Sequence, residues 1–355
     1  MVKEVVFAVP GDLATPTGGY SYDRRIIAEL PALGWQPRVL DLGDGFPHPT
    51  AAVRAAAVAS FAALAAEMPI VVDGLAFSVL PEVAETLAST HQLVALVHHP
   101  LALETGLSVS DTAAFGASER AALARAHRVV ATSAATARLL TSDYGVPANR
   151  LTVVRPGTDR VAPRPRERTG TMAMLAVGAV VPRKGYDVLV AALARLGDLP
   201  WRLTIVGDRE RSPETMQQLD AEIARHDLAG RIDFTGALAP ERLAAHYAAA
   251  DLFVLASHFE GYGMAYTEAI AHGVPVVGTT AGAIPDTVPR GAGMLVPPGD
   301  ADALAAALRL LIENPAARDL LAAGARAAAA TFPSWAQSAG LFAQVLDTMN
   351  EFDPA

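Results

Sequence analysis

The chain predicts a doubly wound α/β fold built twice in tandem, on three observations. Short β-branched runs alternate with longer alanine-rich helical stretches from end to end, the pattern of parallel sheets covered by helices. The alternation is interrupted once, at 155–170, where proline and arginine accumulate and periodicity is lost, which marks a linker. Finally, 355 residues exceed what a single core usually supports. These observations divide the chain into domains at 1–160 and 171–333, with a terminal helix at 334–355.

In chain order, the first lobe reads as strands at 5–9, 38–42, 70–72, 93–97, 129–131 and 151–154, with helical patterns between most of them. Past the linker the second lobe repeats the scheme at 174–177, 203–206, 232–234, 252–255, 274–277 and 294–296. The final stretch, 334–349, is helical and carries Trp335, Leu341, Phe342 and Leu346 for packing. Periodicity leaves open whether it caps the second lobe or crosses back to the first. Open parallel sheets bind ligands beyond the carboxyl ends of their strands, so two such lobes are expected to face each other across a cleft.

Composition excludes several functions. Net charge is −9 with a pI near 5.5 and the charges are dispersed, which argues against a nucleic-acid partner. Zero cysteines remove disulfides, thiolate zinc sites and a cysteine nucleophile. The apolar run at 5–9 ends at Pro10, too short for an export signal, and reads as a core strand. The longest uncharged stretches, 327–346 and 86–103, are broken by proline and polar residues, so no membrane span is expected. The expectation is a soluble cytoplasmic protein, with peripheral membrane contact left open although no basic amphipathic helix argues for it.

Four loops at strand ends carry residues suited to chemistry. Gly18 and Gly19 follow the first strand and precede a helix expected near Tyr22, where exposed amides suit a phosphate, although a flexible turn has the same composition. The loop matches neither G-x-G-x-x-G nor the Walker pattern, which disfavours nicotinamide and kinase readings. His98, ahead of His99 and Pro100, ends the fourth strand and suits a sugar hydroxyl or a developing charge, or simply closes the strand. No metal is expected, because the nine histidines show no H-E-x-x-H or similar spacing.

In the second lobe, Arg183 and Lys184 offer a fork and a point charge to a diphosphate, or are solvated. Glu260 and Glu268 flank Gly261, Tyr262, Gly263, Met264 and Ala265 after the apolar run at 252–255. With a helix beginning near Gly263, Glu260 lies in the loop and Glu268 roughly a turn and a half inside the helix. The glycines admit close approach and the helix N-terminus favours an anion, so the segment suits a ligand bearing both hydroxyls and phosphate. Asp300 and Asp302 imitate a D-x-D metal motif, but Pro297-Pro298-Gly299 before them and an alanine-leucine helix after them make Asp300 an N-cap.

Taken together these residues resemble glycosyltransferase family 4, whose members have the GT-B fold of two Rossmann-like domains. The likeness runs from Gly18-Gly19 and His98 through Pro182-Arg-Lys-Gly185, Ile205-Val-Gly-Asp208 and Phe234-Thr-Gly236. It continues through Glu260 to Glu268, His272-Gly-Val-Pro-Val-Val277, Gly282-Ala-Ile-Pro-Asp286 and Trp335, and so spans nearly the whole chain. The resemblance implies retaining transfer of a sugar from a nucleotide-diphosphate donor to an unidentified hydroxyl acceptor, without a bound metal. It implies ribose binding by Glu268, donor-sugar contact by Glu260, and sugar and phosphate contact by the amides from Gly261 to Ala265. Gly19 and Lys184 would touch the diphosphate, and His98 the sugar near its anomeric carbon.

One departure stands out, since relatives commonly carry Gly-Arg where this chain has Gly178-Ala179, and Arg183 is the expected substitute. The competing reading of the same fold is a nucleotide-sugar-binding protein, or an enzyme acting on the donor alone.

Overall fold

The computed structural model describes residues 3–162 and 170–349. The chain divides into two compact units: residues up to Gly157 joined by those from Pro333 onward, and Thr158–Phe332. Of the expected linker, 163–169 lies outside the described residues.

The first unit holds a parallel sheet of β1 (Lys3–Val9), β2 (Trp35–Asp41), β3 (Pro69–Asp73), β4 (Gln92–Val97), β5 (Arg128–Ala131) and β6 (Leu151–Val153). Its order is β2-β1-β3-β4-β5-β6. The central strands are apolar on both faces because helices cover both, so Val5 to Val9, Ile70 to Val72 and Leu93 to Val97 are buried without alternation. Proline reads as a break in the sequence, yet β2 runs through Pro37 from Trp35. It is an edge strand, where a missing N–H is tolerated.

The helix Trp335–Met349 completes this unit's core, with Phe342 stacked on Phe7 at 5.7 Å between ring centroids and Trp335 edge-on to Tyr22 at 6.0 Å.

The second unit repeats the design with β7 (Met172–Val177), β8 (Trp201–Val206), β9 (Ile232–Gly236), β10 (Leu252–Val254), β11 (Val276–Thr279) and β12 (Gly293–Val296). Their order is β12-β11-β10-β7-β8-β9, again all parallel. Asp300 caps the helix Ala301–Glu313, its Oδ1 accepting from the Ala303 amide at 2.8 Å, as its sequence context predicts.

In each unit the strand order reverses once, between β1 and β3 and between β7 and β10. Loops leaving the carboxyl ends of these neighbouring strands diverge, and the crevice between them is where such sheets bind ligands. Among the described residues no helix is long and apolar enough to cross a membrane.

Candidate active site

At the reversal in the second unit, the turn Pro182–Lys184 after β7 meets the loop after β10. Gly185 makes this possible: its φ is +65°, and its Cα lies so close to the Ala256 carbonyl that a Cβ would collide with it. The Arg183 carbonyl then accepts from the His258 amide at 2.8 Å. Arg183 donates from Nη1 to the Phe259 carbonyl at 2.9 Å and to Glu260 Oε2 at 3.2 Å, while Lys184 Nζ donates to Glu260 Oε1 at 2.7 Å. Ser257 Oγ adds a third donor group to that carboxylate, at 2.7 Å.

Glu260 is 6% exposed. Burial alone would raise its carboxyl, but Lys184 and Arg183 outweigh it and hold it down to about 2. The loop after β11 fixes the backbone, with the Ala283 amide donating to the Glu260 carbonyl at 2.9 Å. Glu260 therefore organises the two cations that the sequence singles out separately.

The helix Met264–Ala271 starts at Gly263, which caps it with φ of +90°, so its first-turn amides open toward this loop. Glu268 lies within the helix and accepts from the Tyr247 hydroxyl at 2.8 Å; His272 stacks on that tyrosine ring at 5.2 Å. Tyr262 is nearly buried, and its carbonyl accepts from Thr287 Oγ1 at 2.6 Å.

In the first unit the helix after β1 is Gly18–Glu29, beginning four residues before the expected Tyr22. Thr17 is the reason: its Oγ1 accepts from the Tyr20 amide at 3.2 Å and caps the helix there. Gly18 and Gly19 thus sit in the first turn and not in a preceding loop. Gly19 lies against His98, where a Cβ would come within 3.1 Å of the imidazole Cδ2.

His98 follows β4, and its Nε2 lies 3.2 Å from Asp23 Oδ1 and 3.4 Å from Asp73 Oδ2. Burial alone would lower the imidazole, but the two carboxylates raise it well above its ordinary value. Among the described residues, Asp23, Asp73 and His98 each bring one carboxylate oxygen or imidazole nitrogen within 4.8 Å of the others.

Next along the chain, His99 pairs with Glu104 at 3.0 Å. The buried Glu119 accepts from the Leu101 amide at 3.1 Å and from Ser78 Oγ at 2.7 Å, which anchors the turn after His98.

Sequence reasoning misses Asp23, Asp73, Ser257 and Tyr247. Asp23 is accessible in principle, since it lies four residues after Gly19 on the same helical face.

Two family models match the chain: "Glycosyltransferase Family 4" over residues 18–161 and "Glycosyl transferases group 1" over residues 172–314. The D-inositol 3-phosphate glycosyltransferase of Geodermatophilus obscurus is 36% identical over 61% of this chain and 51% of its own length. That of Rhodococcus jostii is 32% identical over 69% and 59%. The MMP alpha-(1->4)-mannosyltransferase of Mycolicibacterium hassiacum is 30% identical over 68% and 62%. The alignments thus span between about half and three fifths of these curated relatives' own lengths.

Among solved structures, sucrose-phosphate synthase from Thermosynechococcus elongatus superposes with a TM-score of 0.83 at 22% identity, covering 98% of this chain and 99% of that one. HepE from Anabaena, in complex with UDP and glucose, gives 0.76 at 20% identity, with 98% and 100% covered. These likenesses establish the GT-B fold class. With both halves matched by family models, the chain belongs to glycosyltransferase family 4.

Proposed function

We propose that the chain is a retaining glycosyltransferase of the cytoplasm that moves a sugar from a nucleoside diphosphate sugar to a hydroxyl acceptor, without a metal. The observation that carries this reading is the Arg183–Lys184–Glu260 set, held where β7 and β10 diverge, with Glu268 inside the helix that begins beside it. Charge grows on the departing diphosphate, and fixed cations and amides stabilise it more in the transition state than in the bound donor.

Lys184 and Arg183 supply the charge, and the amides from Gly261 to Ala265 supply the dipoles. Glu260 keeps both cations in place and presents its carboxylate to sugar hydroxyls. Glu268, oriented by Tyr247, takes the ribose hydroxyls, while Gly19 lets the backbone of its helix approach the phosphates and His98 meets the sugar. Arg183 stands in for the arginine that Ala179 lacks. The bond from the anomeric carbon to the phosphate oxygen breaks, and the acceptor oxygen bonds to the same face. Its proton passes to the leaving phosphate.

The relatives named as D-inositol 3-phosphate glycosyltransferases make D-inositol 3-phosphate and other inositol phosphates the first acceptors to try. HepE from Anabaena forms a complex with UDP-glucose, which makes UDP-sugars the first donors. The chain is incubated with a panel of nucleotide sugars with and without these acceptors, and nucleoside diphosphate release is followed. Acceptor-dependent release with a product of the donor's anomeric configuration is expected. Binding across the panel with no release would favour a nucleotide-sugar-binding protein, and release without an acceptor an enzyme acting on the donor alone.

A further inference from the structure

Two of the first unit's buried carboxylates, those of Asp23 and Asp73, are not used by the proposed transfer and converge on one atom. Asp73 is fixed by its own helix: Oδ1 accepts from the Leu75 amide at 2.8 Å and caps the turn Gly74–Phe77, which leaves Oδ2 3.4 Å from His98 Nε2. Asp23 brings Oδ1 to 3.2 Å from the same nitrogen, and its Oδ2 has no hydrogen-bond partner among the described residues. Asp23 is 0% and Asp73 3% exposed.

A lone pair on Nε2 facing two carboxylate oxygens would be repelled, so Nε2 carries the proton and donates it. Tyr22 packs on the imidazole in a T-shaped pair at 5.4 Å between centroids, while its hydroxyl donates away to the Val154 carbonyl at 3.0 Å. His99, the next titratable group, is engaged with Glu104. The His98 side chain is 20% exposed, and its other ring nitrogen, Nδ1, makes no hydrogen bond among the described residues.

We propose that Asp23 and Asp73 are positioning residues that hold His98 as an imidazolium and offer its Nδ1–H to an oxygen of the bound sugar nucleotide, so that His98 acts as a fixed cationic donor and not as a base. The identity of the ligand rests on the glycosyl-transfer reading; the protonation state does not. Two carboxylates on one imidazole make the charged form the favoured one despite burial. Gly19 walls the ring on a further side, so its orientation as well as its charge is set.

The test is a histidine-selective ¹⁵N long-range correlation spectrum of the full chain from pH 5.5 to 11, with His98 identified by its loss in His98→Gln. In the unsubstituted chain both ring nitrogens of His98 stay protonated through pH 8. Asp23→Asn lowers its midpoint by at least about one pH unit. Asp73→Asn, which keeps an acceptor for the Leu75 amide, lowers it as well.

Titration of His98 in the unsubstituted chain near the ordinary histidine value overturns the proposal, whether or not the variants fold. So do curves in both variants that superimpose on it. Zinc retained in stoichiometric amount after dialysis, with no Nε2–H signal, overturns it in favour of a metal site. Nucleotide sugars that are turned over yet leave the His98 resonances unmoved overturn the ligand assignment. If none is turned over while the titration follows the expected course, the functional reading fails and the carboxylate clamp stands.

Discussion

At the scale of single residues, Glu260 shows why a buried charge is retained. Its two oxygens accept from Lys184, Ser257 and Arg183, so the carboxylate is hydrogen-bonded on both sides despite its burial. Glu260→Gln leaves two cations facing a neutral amide, and is expected to lower the stability of the second unit by about 3 kcal/mol at neutral pH. The folded carboxyl lies below its ordinary value, so its contribution is present above the ordinary 4.5 and lost as pH falls through about 2. Urea unfolding of both proteins at pH 7 and pH 2.5 checks this: the deficit of the variant should shrink in acid. Residue identities are legible in the sequence, since Glu260, Lys184 and His98 stand in loops at strand ends and Glu268 follows them inside the next helix. Their pairing is not, because Lys184 and Glu260 are 76 positions apart and neither position carries a local sign of the other. Asp23 and Asp73 escape notice for a similar reason. An aspartate within a helix, or before a glycine, reads as a surface charge or a cap until the fold brings it to an imidazole.

At the scale of elements, the turn after β7 is held to the loop after β10 by backbone groups as much as by side chains. Gly185 has a left-handed backbone and no room for a Cβ beside the Ala256 carbonyl. Gly185→Ala is therefore expected to cost about 2 kcal/mol or more. It should also weaken nucleoside diphosphate binding, because Arg183 and Lys184 ride on this turn; thermal unfolding and isothermal titration with UDP check the two effects. Among the described residues the strands are readable from β-branched runs, and their ends shift where context outweighs composition, as at β2, which passes through Pro37 on the sheet edge. The start of the first helix is hard to place because paired glycines look like a turn. The cap at Thr17 overrides that appearance, and only the hydrogen bond from the Tyr20 amide reveals it.

At the scale of the whole molecule, two compact cores imply two cooperative transitions in calorimetry. The last described helix contributes Phe342, fully buried against Phe7, to the first unit. Phe342→Ala is expected to destabilise that unit by about 3–5 kcal/mol and to move one transition down while leaving the other in place. Tandem repetition of the α/β pattern is legible from the alternation of runs. The destination of the final helix is not, since an apolar helical stripe specifies a need for a partner surface without naming it. That destination has a consequence for synthesis. The ribosome delivers the first unit's six strands early but its closing helix late, after the whole second unit has emerged. The second unit can reach its native state while the first still exposes the apolar surface around Phe7, and the unit begun first is the last able to close its core.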